Sequence, residues 1–209
     1  MDNNIPPILF QTHKEPLENY VLEMIKCKLG NWKYEFYDDN DIIDFFKKNP
    51  MEEFPDIINK FHSFYNGQHK ADLFRYYYLY INGGFFLDSD AMLYENIGDI
   101  VKNYDFVSVK SFHHATLFQG ILGASKRNEI IKKALIHAYT TDPGILANDY
   151  HYFCKELYKI VNNDNDNNYN IKLYNEFREN HKIAKIIDDD KNTIFKHFWA
   201  TKIIENDLV

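Results

Sequence analysis

The chain has 209 residues, 45% of them hydrophobic and 17% aromatic, which is enough to bury one substantial core, and residues 1–209 read as a single domain. Its formal charge of −7 argues against a nucleic-acid polymer as ligand, because such binding neutralises many phosphates with lysine and arginine. No apolar run approaches the roughly 20 residues that span a bilayer, and Asp2, Asn3 and Asn4 stand where a secretory signal would carry basic, then apolar residues; the expectation is a soluble, cytoplasmic protein. Cys27 and Cys154 lie far apart without Cys-x-x-Cys spacing and are expected as reduced core thiols.

Strand-like runs alternate with amphipathic helices along the chain, the pattern of an α/β domain. Residues 5–12 read as the first strand, 17–29 as a helix, 33–37 as a second strand, and 41–48 as a short helix closed by Asn49-Pro50. A further helix is expected from Glu53 or Pro55 to about Phe64. Residues 68–82 then carry apolar positions three and four apart, a helix of about four turns. Gly83 and Gly84 would end it, since glycine past a helix end accepts the left-handed conformation, and residues 85–87 would follow as a short buried strand. Tyr76, Tyr77 and Tyr78 are expected to build core, with at most one reaching a cleft. Strands are expected at 105–109 and 116–122 and helices at 129–138 and 146–161. The Asn/Asp-rich tract 162–170, which cannot bury apolar surface, is expected as a mobile loop.

The chemistry concentrates where the buried strand ends, in Asp88-Ser89-Asp90. On an extended segment side chains alternate faces, so the two carboxylates are expected to converge on one side. Octahedral Mg²⁺ or Mn²⁺ takes one or two protein carboxylates and completes its shell with water and substrate phosphate oxygens, so the pattern suggests a phosphate-bearing substrate. Asp72 and Arg75, three apart on the preceding helix, share a face that can turn toward the same cleft or form a surface ion pair. An open α/β sheet binds ligands at the carboxyl ends of its strands, where both the end of the first strand and Asp88 to Asp90 fall.

Three segments resemble glycosyltransferase family 32, the Asp-x-Asp sugar transferases that include capsular polysaccharide transferases, yeast mannosyltransferases and, more distantly, the clostridial glucosylating toxins. The central segment is Ala71-Asp72-Leu73-Phe74-Arg75-Tyr76, then Leu79-Tyr80, then Gly83 to Asp90. The opening Ile5-Pro6-Pro7-Ile8-Leu9-Phe10-Gln11-Thr12-His13-Lys14 is similar to that family's first strand, and Lys196-His197-Phe198-Trp199 is similar to its near-terminal histidine and tryptophan. The resemblance implies a GT-A-like single domain, a nucleotide-binding, Rossmann-like mixed sheet flanked by helices. It implies metal-dependent transfer of a hexose or N-acetylhexosamine from a nucleotide-diphosphate sugar, UDP-sugars favoured, to a glycan or protein hydroxyl, with retention and with Mn²⁺ or Mg²⁺ as cofactor. Golgi relatives carry an anchor; with none read here, a bacterial or viral member working in a cytoplasm, for instance in polysaccharide biosynthesis, is expected.

Carried over position by position, the resemblance implies that Gln11, Thr12 and His13 lie beside the nucleotide base, although His13 stands where the family usually has tryptophan. Asp72 and Arg75 would hold donor-sugar hydroxyls, with Arg75 also near the diphosphate. Asp88 would contact ribose or sugar and reach the metal through water, and Asp90 would be the direct metal ligand. His197, as a further metal contact, and Trp199 would close the site near the diphosphate; a buried aromatic cluster beside a C-terminal strand reads equally well for these two. The segment from Gln119 to Ser125 resembles one that faces acceptor in relatives, and Asp142 or Asp149 reads either as an acceptor contact or as a turn or cap residue. A nucleotidyltransferase or phosphohydrolase would carry further carboxylates or a phosphate-cradling glycine loop, whereas a catalytically silent nucleotide- or glycan-binding module stays open as the alternative.

Overall fold

The computed structural model describes residues 4–163 and 169–198. In chain order the elements are β1 (Ile8–Thr12), α1 (Asn19–Leu29), β2 (Lys33–Tyr37), α2 (Asp39–Lys48), α3 (Ile57–Ser63), α4 (Gly67–Asn82), β3 (Gly84–Leu87), β4 (Ala91–Leu93) and α5 (Ile97–Ile100). There follow β5 (Phe106–Lys110), β6 (Leu117–Ala124), α6 (Glu129–Thr140), α7 (Pro143–Asn148), α8 (Tyr152–Asn163), β7 (Ile171–Arg178), β8 (Ile183–Ile187) and β9 (Thr193–Phe198). The strands form one mixed sheet in the order β2-β1-β3-β6-β5-β7-β8-β9-β4. β1 pairs in parallel with both β2 and β3, because helical crossovers return the chain to the same edge, whereas β6 runs antiparallel to β3 and to β5.

The period-two alternation of the strands divides the core into two layers. Phe10, Phe86 and Leu122 face one side and pack with α2, α3, α4 and α6, while their neighbours Leu9, Phe85 and Ile121 face the other and pack under α1 and α5. Helix α4 is buried around most of its circumference, in keeping with its position between the sheet and the helices α3 and α6. Tyr76, Tyr77 and Tyr78 are all fully inside, and each hydroxyl finds an acceptor: the Gln119 amide oxygen, the Asn49 carbonyl (2.6 Å) and Glu35 (2.7 Å). Gly83, at φ 67°, caps the helix by donating its N–H to the Leu79 carbonyl at 2.8 Å, and a Cβ there would stand 2.7 Å from Pro6. At Gly84, φ 114°, a Cβ would stand 2.8 Å from the Ile8 carbonyl oxygen, so the glycine pair lets β3 lie against β1.

Four expectations change. Cys27, expected as a core thiol, is exposed on α1. The single helix foreseen at 146–161 is two, α7 and α8, broken where the Asp149 carboxylate accepts the His151 N–H at 3.2 Å in a local turn that competes with helix continuation. The tract 162–170 begins inside a helix, since α8 runs to Asn163; residues 164–168 lie outside the described residues. β3 ends at Leu87, and residues 88–91 form a turn closed by the Ala91 N–H to Asp88 carbonyl bond at 3.0 Å, so the pleat of one extended strand is not what relates Asp88 to Asp90. Beyond these, the sheet gains β4, β7, β8 and β9, strands the pattern reading did not assign.

Candidate active site

The turn at 88–91 is fixed from both sides. The Asp88 N–H donates to the Gly120 carbonyl on β6 at 2.7 Å, and the Asp90 carbonyl accepts the Phe198 N–H from the end of β9 at 3.0 Å. Gly120 is there because nothing larger fits: a Cβ would come within 2.2 Å of Asp88 Oδ2 and 2.3 Å of the Phe118 ring. Behind the turn, Gln11 is fully buried, its Nε2 donating to the Asp88 carbonyl at 3.2 Å and its Oε1 accepting the Tyr34 hydroxyl at 3.0 Å. Both ends of the Gln11 amide are thus engaged by protein, and the residue acts as a brace under Asp88.

Helix α4 supplies the second half of the site. The Arg75 guanidinium is almost wholly buried, lies 4.0 Å over the Phe86 ring and donates to the Gln119 carbonyl (2.5 Å) and the Ala71 carbonyl (3.3 Å). Its NH2 group sits 3.5 Å from Asp72 Oδ1 and 3.4 Å from Asp88 Oδ1, so one cation bridges the helix carboxylate and the turn carboxylate. The pair on α4 is therefore an internal bridge and no surface ion pair. Burial raises the pKa of Asp72, with Arg75 and His69 opposing it. Asp88 keeps 30% of its side chain open to the cavity, yet crowding by protein on its other sides, offset by Arg75 and aggravated by Asp90, pushes its pKa up to about 6.

From the far end of the sheet, β9 pairs with β4 so that His197 lies opposite Ala91, and its ring enters the site. Nε2 faces Asp90 Oδ2 at 3.7 Å, Nδ1 faces Glu176 Oε1 at 3.5 Å, and the ring stacks on Phe118 at 4.3 Å. Burial disfavours charge on this imidazole, but the hydrogen bonds to Asp90 and Glu176 outweigh it and raise its pKa to about 9. Glu176, on β7, is buried and also accepts the Ser111 hydroxyl at 2.7 Å and the Phe112 N–H at 3.4 Å.

These groups line one cavity of about 540 Å³. Asp72, Arg75, Asp88 and Asp90 give it an acidic wall, Glu176 and His197 line it as well, and Phe112, His113, Tyr150 and His151 supply an aromatic part of the lining. Thr12 and His13 end β1 beside Tyr37 and do not line it; the His13 ring lies against the Glu15 backbone, with Nδ1 2.8 Å from the Glu15 carbonyl. Trp199 lies outside the described residues. Asp142 caps α7 by accepting the Gly144 N–H at 2.7 Å, and Asp149 pairs with Lys155 at 2.8 Å, so both carboxylates have local structural partners.

Pattern reading missed Glu176 as a site residue and did not isolate Gln119 and Gly120. Gln119 is buried and lines the cavity, and among the described residues its Nε2 has no hydrogen-bond partner, with only the Cys154 thiol, a weak acceptor, beside the same amide. An orphaned donor in a cavity is a signal of structure alone; nothing in a one-dimensional pattern marks it.

The family model for the glycosyltransferase sugar-binding region containing a DXD motif matches residues 15–107, a span that includes Asp72, Arg75, Asp88 and Asp90 and ends before β6. An uncharacterized glycosyltransferase of Acanthamoeba polyphaga mimivirus is 32% identical over 123 residues, 58% of this chain and 47% of the relative, so the chain spans about half the length of that protein. Among solved structures, the PaToxG glycosyltransferase is similar with a TM-score of 0.56 and 10% identity, over 77% of this chain and 70% of that one, a likeness of fold. The span matched to the DXD-containing sugar-binding region thus holds the carboxylate turn between β3 and β4, and the viral relative and the structure of similar fold are both named as glycosyltransferases.

Proposed function

We propose that this chain transfers a hexose or N-acetylhexosamine from a nucleotide-diphosphate sugar, most readily a UDP-sugar, to a hydroxyl acceptor, with a divalent cation as cofactor. The observation that carries the reading is the Arg75 bridge, which holds Asp72 and Asp88 beside Asp90 on one wall of a ligand-sized cavity. Asp72 and Asp88 accept hydrogen bonds from donor-sugar hydroxyls, and Arg75 keeps the two carboxylates in place. Gln11 positions Asp88 from behind.

The donor set fits Mg²⁺ or Mn²⁺: two hard carboxylates on adjacent sides of a turn, one with its pKa raised partly by the other, and a glycine at 120 that leaves room for the Asp88 oxygen. Among the described residues no group of three His, Cys, Asp or Glu side chains is arranged to hold a metal by itself, so phosphate and water would have to complete the shell. Asp90 would hold the ion directly, with Asp88 beside it and His197 against the far side of Asp90. Bound there, the ion would supply electrostatic stabilisation of the departing diphosphate.

In the reaction the acceptor oxygen bonds to the anomeric carbon as the bond from that carbon to the β-phosphate oxygen breaks, and its electron pair stays on the phosphate. The acceptor proton passes to that phosphate oxygen on the same face, giving retention. Nucleotide diphosphate released from UDP-glucose, UDP-galactose, UDP-N-acetylglucosamine and GDP-mannose, with and without Mn²⁺, tests this reading. Asp90→Asn is expected to lower turnover about 10²- to 10³-fold; normal metal-dependent turnover by that variant overturns the assignment. Donor binding by calorimetry with neither hydrolysis nor transfer would make the chain a silent binding module.

A further inference from the structure

The aromatic part of the cavity lining has a composition the donor does not require. Phe112 and His113 come from the β5–β6 loop and Tyr150 and His151 from the α7–α8 loop, and their rings form a continuous run of tilted and T-shaped contacts. Centroids are 4.1 Å apart for Phe112 and His113, 4.9 Å for His113 and His151, and 4.9 Å for His151 and Tyr150. Phe112 is 39% exposed and Tyr150 63%, so aromatic surface contributes to the lining of the cavity that solvent and ligand can reach, a feature that marks recognition. Their backbones are nevertheless fixed. Glu176 holds Ser111 and the Phe112 N–H, Ser111 Oγ accepts the His113 N–H at 3.3 Å, and Thr116 donates to the His113 carbonyl at 2.8 Å. On the other loop the Tyr150 carbonyl lies 3.3 Å from Nε2 of buried His69, one turn before Asp72 on α4.

We infer that this aromatic wall is the acceptor subsite and that it takes a saccharide, an assignment that rests on the transferase reading above. A sugar ring offers an apolar C–H face for stacking and a rim of hydroxyls for hydrogen bonds, and the wall alternates exposed carbocyclic rings with imidazoles that can donate or accept. Burial and the neighbouring His113 lower the pKa of His151, so the wall suits a neutral ligand. The wall is confined to a cavity of about 540 Å³, a small-ligand volume, whereas a stable protein acceptor needs an interface of about 800 Å² per partner.

The test uses the whole chain and four probes: lactose, maltose, cellobiose and chitobiose. Saturation-transfer NMR reads binding without any need for turnover, and labelled versions of the same disaccharides read transfer. At least one probe is expected to bind, Phe112→Ala and Tyr150→Ala each to weaken binding and raise the acceptor KM about 3- to 10-fold, and Phe112→Tyr and Tyr150→Phe to restore both. Tyr65→Ala, a fully exposed ring outside the cavity, serves as the control that changes neither. Binding of no probe, or unchanged KM in both alanine variants, overturns the saccharide subsite. Wild type that releases no nucleotide from any donor overturns the transferase reading and with it the acceptor role, even if disaccharides bind.

Discussion

The two walls of the cavity are built on opposite principles. On the acidic wall Arg75 and Asp72 are enclosed and Asp88 largely so, and the groups that hold them, the Gln11 amide and the Gly120 and Gln119 carbonyls, have defined partners. On the aromatic wall the backbones are tied by hydrogen bonds, and the side chains of Phe112 and Tyr150, in contact with neighbouring rings, keep 39% and 63% exposure. Preorganised charge suits the part of a reaction in which charge develops, because no reorganisation is then needed. Open aromatic faces suit a partner whose identity can vary.

That contrast is most directly broken through Arg75. Arg75→Ala leaves two inward-facing carboxylates without their cation and is expected to destabilise the fold by about 3–5 kcal/mol in denaturant titration; a loss as small as that of a surface truncation would show the acidic wall to be soft. Gly120→Ala comes next. The added methyl collides with Asp88 Oδ2 and the Phe118 ring, so either the turn or the ring must move, at a cost of about 1–3 kcal/mol and with weakened donor binding by calorimetry. The aromatic wall should behave otherwise: Tyr150→Ala is expected to stay within about 0.5 kcal/mol of wild type in the same titration.

The smallest effect concerns support beneath the acidic wall. Burial raises the pKa of Glu35, but hydrogen bonds from Lys33, Tyr37 and Tyr78 outweigh it and leave the carboxyl below its ordinary 4.5. A carboxylate with a depressed folded pKa adds stability that is fully present above the unfolded value and is lost as pH falls through the folded one. Glu35→Gln is therefore expected to flatten the acid side of the stability profile below about pH 4.5, read as denaturation midpoint against pH. A profile unchanged by the substitution would remove Glu35 from the network under α4.

Much of this fold is local and was legible as such. The helix from residue 67 to 82, its glycine stop, the short strand and the carboxylates follow from spacing and from what glycine permits, and the strand Lys33–Tyr37 coincides with the expected one. The C-terminal strands are another matter. β7 puts Glu176 on its buried side beside Tyr174, and a carboxylate on the core face defeats a reading by apolar alternation. Its partners lie 65 residues upstream, at Ser111, and 21 downstream, at His197, separations that only the assembled sheet brings together. Asp88 and Asp90 were singled out through a pleat that is in fact a turn, since no short-range signal distinguishes a strand that continues through residue 90 from one that ends at Leu87.

Glu176 also yokes two parts of the molecule that chemistry would otherwise keep independent: one oxygen anchors the loop bearing Phe112 and the other meets the imidazole against Asp90. Anchoring at Ser111 and at a main-chain amide leaves the side chains at 112 and 113 outside that yoke. A designer seeking a different ligand preference has a natural dividing line here: vary those two positions, keep Ser111 and Glu176, and the meeting of Glu176 with His197 is retained.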